Sequence, residues 1–179
     1  MIDYKKYLEQ ILNGYRSSYD IEVCEGAEEG LVATGVLHVK QVQKFILKEF
    51  QMYSASDDEY VYFYYIPKLT EEIAQKYIQD SYDDGFPKID LEHTTFRQQH
   101  MCTRLVPLIL CDEADDAALK VIRKCRIRKS FQFSLKGWME VHTLAVMMND
   151  GSVVSNPAAR ETAKFLKKHV KHYMANVQK

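Results

Sequence analysis

YVYFYYI, residues 60–66, decides how the rest of the chain must be organised. Tyr60, Tyr62, Tyr64 and Ile66 alternate with Val61, Phe63 and Tyr65, so neither face of an extended segment here is polar. Successive side chains of a strand point to opposite faces, so a run apolar on both is a strand covered on both sides. Asp57, Asp58 and Glu59 lead into it as a polar turn, and Pro67, lacking an N–H, is expected to stop it. His100 to Cys111 reads as a second such strand, with a fully buried end in LVPLILC. Pro107 inside it argues for an edge or a bulge.

Helices flank these strands. Thr70 opens one, with Glu71 and Glu72 in the dipole-favoured first turn and Ile73, Tyr77 and Ile78 as its apolar stripe, ending at Asp84-Gly85-Phe86-Pro87. Asp112 or Asp115 caps another, with Ala118, Leu119, Ile122 and Cys125 inward. Upstream, Asp3 to Asn13 carries Tyr4, Tyr7, Leu8, Ile11 and Leu12 at helical spacing, and strands are expected at 19–24, 31–39 and 44–53. Lys88 to Gln99 reads as a long connection with a short strand over 94–97.

The C-terminal third gives consistent local signals. Ser130 to Leu135 alternates and predicts a half-buried strand that hides Phe131 and Phe133. Trp138 to Met148 predicts a further strand, Asn149-Asp150-Gly151 a hairpin turn, and Ser152 to Ser155 the return. Asn156-Pro157 is a helix N-cap followed by proline at the first helical position. The last helix sets Thr162, Phe165, Leu166, His169, Val170 and Tyr173 on one side, and Arg160, Lys164, Lys167, Lys168 and Lys171 on the other. Strands outnumber helices and join through short turns. The expected fold is one α+β domain over residues 1–179, a mainly antiparallel sheet packed with about four helices.

Composition excludes several classes. With 46% apolar and 27% charged residues, 7 Gly and 4 Pro, the chain is globular rather than low-complexity. It contains no apolar run of ~20 residues to span a membrane, and MIDYKKYLEQ lacks a signal-peptide core, which places the expected location in the cytoplasm. Cys24, Cys102, Cys111 and Cys125 form no C-x-x-C pair, so the usual structural-zinc spacing is absent. Cys125, inside KVIRKCRIRK, alone has the basic setting a reactive thiol needs. P-loop, HExxH, GxSxG and GxGxxG signatures are missing, and no cofactor or metal is expected.

Charge is distributed unevenly. Residues 1–99 hold 10 Lys/Arg and 18 Asp/Glu, a net of −8, whereas 100–179 hold 14 and 7, a net of +7. Either the halves interleave in one domain, the simpler reading, or the basic half presents a surface to an anionic partner. Candidate anion-binding residues are Lys120, Arg123, Lys124, Arg126, Arg128 and Lys129. The basic run 120–136 also contains Phe131 and Phe133, and single-stranded nucleic-acid binders combine basic grooves with stacking rings. The half-buried strand expected there would hide both rings, which weighs against that use.

Trp138, Glu140 and His142 share one face of their expected strand and are the candidate ligand-binding set. A carboxylate beside an imidazole can move a proton or bind a metal, but a metal needs more ligands than these two. Asp112 followed by Glu140-x-His142 resembles, loosely, the acidic set of restriction-type nucleases, with histidine where those carry lysine.

The Tyr-rich first helix, YDIEV at 19–23 and Lys136-Gly137-Trp138 before a strand together resemble an uncharacterised family of small bacterial proteins, over most of the chain. That resemblance implies no activity and no site residues. The favoured functional expectation is a non-catalytic intracellular binding or protein-interaction module, acting as a homo-oligomer or with a protein partner. The alternatives are a nucleic-acid-associated protein using 120–136 and 160–171, and a small-molecule enzyme centred on Glu140 and His142.

Overall fold

The computed structural model describes residues 2–38, 55–89, 99–133 and 136–177. The strands expected at 44–53 and 94–97 lie outside them. In chain order the elements are α1 (Tyr4–Tyr15), β1 (Asp20–Val23), β2 (Gly30–His38), β3 (Ala55–Leu69), α2 (Glu71–Gly85), a 3-10 turn (Phe86–Lys88), β4 (Gln99–Ala114), α3 (Asp116–Lys124), β5 (Arg128–Ser130), β6 (Trp138–Val141), β7 (Leu144–Met147), β8 (Val153–Ser155) and α4 (Arg160–Val177).

The strands form one mixed α+β sheet in the order β1-β2-β3-β4-β6-β5, with β7 on β4 above β6, and β8 on β7. Four of the seven pairings are antiparallel; the three parallel ones all involve β4. β3 and β4 sit at the centre because both are apolar on both faces, from Val61 to Tyr65 and from Leu105 to Cys111. Two parallel steps follow, β3 to β4 through α2 and β4 to β6 through α3. Both advance across the sheet in one direction, so the common right-handed crossover sets both helices on one face. There α2 and α3 cover Tyr62, Tyr64, Leu105, Ile109, Met139 and Val141. The terminal helices α1 and α4 cover the other face, over Phe63, Val106, Leu108, Leu144 and Val146.

The caps follow the sequence. Asp3 accepts from the amides of Lys5 and Lys6, Thr70 from Ile73, Asp115 (rather than Asp112) from Ala118, and Asn156 from Ala159. At 149–151, Gly151 takes φ +72°, and its N–H donates to the Met147 carbonyl. A side chain there would also meet Val170 and Met174 of α4.

Four expectations are corrected. Pro67 does not stop β3: pairing skips it and resumes at Lys68↔Glu113 and Leu69↔Ala114. Proline's fixed φ suits extended backbone, so it costs one ladder bond rather than the strand. Pro107 lies in the central strand, not at an edge. The Leu105 carbonyl accepts from His142 N–H, and the Cys111 carbonyl from Met148 N–H. Odd-numbered residues of β4 therefore face β6 and β7, and the N–H that Pro107 lacks points where neither strand runs. For the same reason 138–148 is two strands, broken at His142-Thr143. Finally, of the strand expected over 130–135, residues 134 and 135 lie outside the described residues, and among the rest only Ser130, the end of β5, is in a strand. Gln132 and Phe133 turn with φ +47° and +53°, and while Phe131 is buried, Phe133 is 99% exposed.

Candidate functional site

The break opposite Pro107 organises the region around the candidate residues. Thr143 Oγ1 donates to the Ile122 carbonyl of α3 at 2.8 Å. Asn156, 2% exposed, caps α4 with its oxygen while its Nδ2 donates to the carbonyls of Val141 at 2.8 Å and Cys125 at 3.3 Å. One amide therefore fastens the end of β6, the exit of α3 and the start of α4. Its N-cap role is legible from Asn-Pro, but the two bonds to distant carbonyls are not.

Glu140 and His142 are brought together as expected. His142 Nε2 and Glu140 Oε1 lie 2.9 Å apart, with side chains only 10% and 25% exposed. Trp138 and Glu140 are half-buried on the α1/α4 side of β6, while Met139 and Val141 face the opposite core. The Arg128 guanidinium lies 5.4 Å from the centre of the Trp138 ring, a cation–π pair.

Sequence reasoning misses the row into which Glu140 falls. Glu59 on β3 pairs in register with Arg104 on β4, and Arg104 with Glu140 on β6. Arg104 Nη1 lies 4.0 Å from Glu59 Oε2, and Tyr19 Oη donates to Glu59 Oε1 at 2.8 Å. Burial, then the Glu59 carboxylate, push the Tyr19 phenol well above its ordinary range. The polar residues at the lower ends of β3, β4 and β6 are the signal, but only strand order and register align them.

Other candidates are taken apart. Asp112 accepts from Tyr65 Oη at 3.1 Å. It lies eight residues beyond Arg104, the register partner of Glu140, or roughly 26 Å at strand rise. The nuclease-like carboxylates thus share no centre. Among the described residues no group of three or more His, Cys, Asp and Glu could hold a metal ion. All four cysteines are free. Burial raises the Cys125 thiol pKa despite Arg126 beside it, and pushes Cys111 up to about 12, the opposite of a reactive thiolate.

The six candidate anion-binding residues are all exposed but only partly gathered. Arg123 of α3 joins Arg160, Lys164 and Lys167 of α4 around an open cleft of about 520 Å³, floored by Ser155, Asn156 and Pro157. Arg126 and Arg128 line a second cleft of about 300 Å³ with Glu140 and, again, Asn156. The shared Asn156 makes these one basic edge along the β5 side of the sheet. Arg126 is held in place by its Nη1, which donates to the carbonyls of Arg123 at 2.9 Å and Cys125 at 2.7 Å. Lys164 is paired with Glu161 at 2.7 Å. Lys129 leaves the edge and sits 4.2 Å over the Phe86 ring, and Lys120, Lys124, Lys168 and Lys171 line neither cleft.

These features define an α+β protein with two terminal helices on one sheet face, two crossover helices on the other and a basic edge where both layers meet. The chain belongs to the family described as Domain of unknown function (DUF8052), whose model matches residues 3–168. No curated protein and no solved structure matches it.

Proposed function

We propose that this protein is a non-catalytic binding module that takes an anionic partner on its basic edge. The observation that supports this most is the meeting of two segments far apart in sequence. Arg123, Arg126 and Arg128 from 123–128 and Arg160, Lys164 and Lys167 from 160–167 line two clefts that share Asn156. Guanidinium forks match oxyanions two bonds at a time, and clustered cations raise the local concentration of a polyanion. A bacterial, cytoplasmic setting is part of the proposal. It rests on the sequence resemblance, on four free thiols, and on the lack, among the described residues, of any helix long and apolar enough to cross a membrane.

The test is anisotropy of a fluorescent heparin fragment across a salt series. Binding at low salt that weakens steadily with added salt, and falls at least tenfold in the Arg123→Ala/Arg160→Ala double variant, supports the proposal. Absence of binding at low salt, or equal binding by the double variant, overturns it.

A second reading, small-molecule chemistry, draws on the 2.9 Å Glu140–His142 bond and on Glu140 opening into the 300 Å³ cleft. Metabolite binding lost in both single alanine variants without loss of fold would favour it.

A further inference from the structure

Phe133 is the most exposed large apolar side chain among the described residues, at 99% against 57% for Phe165 and 45% for Val23. It sits in a backbone conformation unusual for a side chain other than glycine, φ +53°, following Gln132 at +47°. The turn is pinned by its base: Phe131 N–H donates to the Gly137 carbonyl at 2.9 Å, and Lys136 N–H to the Phe131 carbonyl at 3.2 Å. Phe131 is buried against the α2/α3 layer. One ring therefore anchors the hairpin while the other stands in solvent. The strands beneath this tip are β5 and β6, which carry Arg128 and Trp138. From there the basic edge continues through Arg126 to Arg123 and Arg160.

We infer that the anionic partner is a single-stranded nucleic acid, its phosphates following Arg128, Arg126, Arg123 and Arg160 and a base stacking on Phe133. This rests on the basic-edge reading above and adds the class of partner. Every base offers a π-face, so an exposed ring beside cations binds single strands with little regard to sequence. In a duplex the bases are already stacked on one another, and Phe133 has nothing to receive. A membrane surface is the competing partner for a basic patch with one exposed ring. Two features favour the nucleic acid. Four of the six edge cations are arginine, which both forks onto phosphate and stacks on bases. They also lie along two open clefts between α3, β5 and α4, a track that a strand can follow, rather than on one flat face.

The experiment is anisotropy of a labelled 15-nucleotide single strand, its duplex and the heparin fragment, with flotation of vesicles containing anionic lipid. Wild type, Phe133→Ala, Phe133→Trp and Arg123→Ala/Arg160→Ala are compared. The single strand should bind more tightly than the duplex. Phe133→Ala should weaken single-strand binding by roughly 5- to 100-fold and leave heparin unchanged, while Phe133→Trp retains binding. The salt dependence should have a log–log slope between about −3 and −4, reduced in the arginine variant. The ring touches no core, so an unchanged melting temperature in Phe133→Ala separates binding from folding. Equal single-strand affinity in Phe133→Ala, or preference for duplex, overturns the inference and leaves the basic edge standing. Phe133-dependent flotation without single-strand binding assigns the edge to a membrane and overturns it too. Absence of both heparin and oligonucleotide binding by the wild type at low salt, or equal binding of both by the arginine variant, overturns the basic edge itself.

Discussion

Replacing Asn156 should cost far more than a helix cap. In Asn156→Ala the Ala159 amide loses its acceptor, about 1 kcal/mol by the usual cost of a cap. The Val141 carbonyl loses a donor at 2.8 Å in a buried site, adding about 1–3 kcal/mol. The Cys125 carbonyl adds little, because it still accepts from Arg126 at 2.7 Å. The total is roughly 3 kcal/mol, or a fall in Tm of about 6–12 °C for a domain of this size. Asn156→Ser keeps an acceptor for Ala159 but not the reach to Val141, so it should lose roughly 2 kcal/mol. Urea unfolding followed by the far-ultraviolet signal measures both. A loss under about 1 kcal/mol for alanine, or wild-type stability for serine, would show that the bond to Val141 does not fasten the junction as argued.

Glu140 and His142 should be energetically coupled: a double-alanine cycle should return roughly 1–2 kcal/mol of interaction, whereas additive losses would mean that the 2.9 Å contact has no net worth. Gly151→Ala should cost about 2–4 kcal/mol, combining left-handed backbone strain with a Cβ placed 2.6 Å from Val170 Cγ1. A urea midpoint equal to wild type would refute it. Burial, and then His172, lower the pKa of His169, whose Nδ1 is 3.4 Å from Tyr7 Oη between α4 and α1. Its folded pKa is below the unfolded value of about 6.5, so its contribution is complete above that pH and is lost as pH falls through the folded pKa. Stability should therefore decline on acidification from about pH 7, and His169→Phe should flatten that part of the profile.

Much of the fold is legible in the sequence because its signals are local. Asp3, Thr70, Asp115 and Asn156 cap helices by bonds to amides two or three residues ahead. The two-sided apolarity of 60–66 and 105–111 marks the strands that became the buried centre. Errors arose where a local rule met a distant neighbour. Pro107 is tolerated in a central strand because β6 and β7 part opposite it. Alternation from Ser130 to Phe133 failed because the chain turns at Gln132 and Phe133, burying Phe131 and leaving Phe133 in solvent.

The same division holds for the candidate sites. The two-residue period of a strand was enough to put Glu140 and His142 on one face in advance, but the 2.9 Å bond forms where His142 leaves β6 at the break. The separation of Glu140 from Asp112, its register with Arg104 and Glu59, and the meeting of Arg123 with Arg160 depend on strand order and helix placement. The sequence by itself determined the helices, the central strands and the excess of positive charge after residue 99, because backbone capping, side-chain period and composition act over a few residues. Tertiary structure alone decided which cations share a cleft, which charged rows align and which phenylalanine faces water. Those outcomes depend on crossover hand, on register and on one proline opposite one break, and none of these is encoded within a single segment.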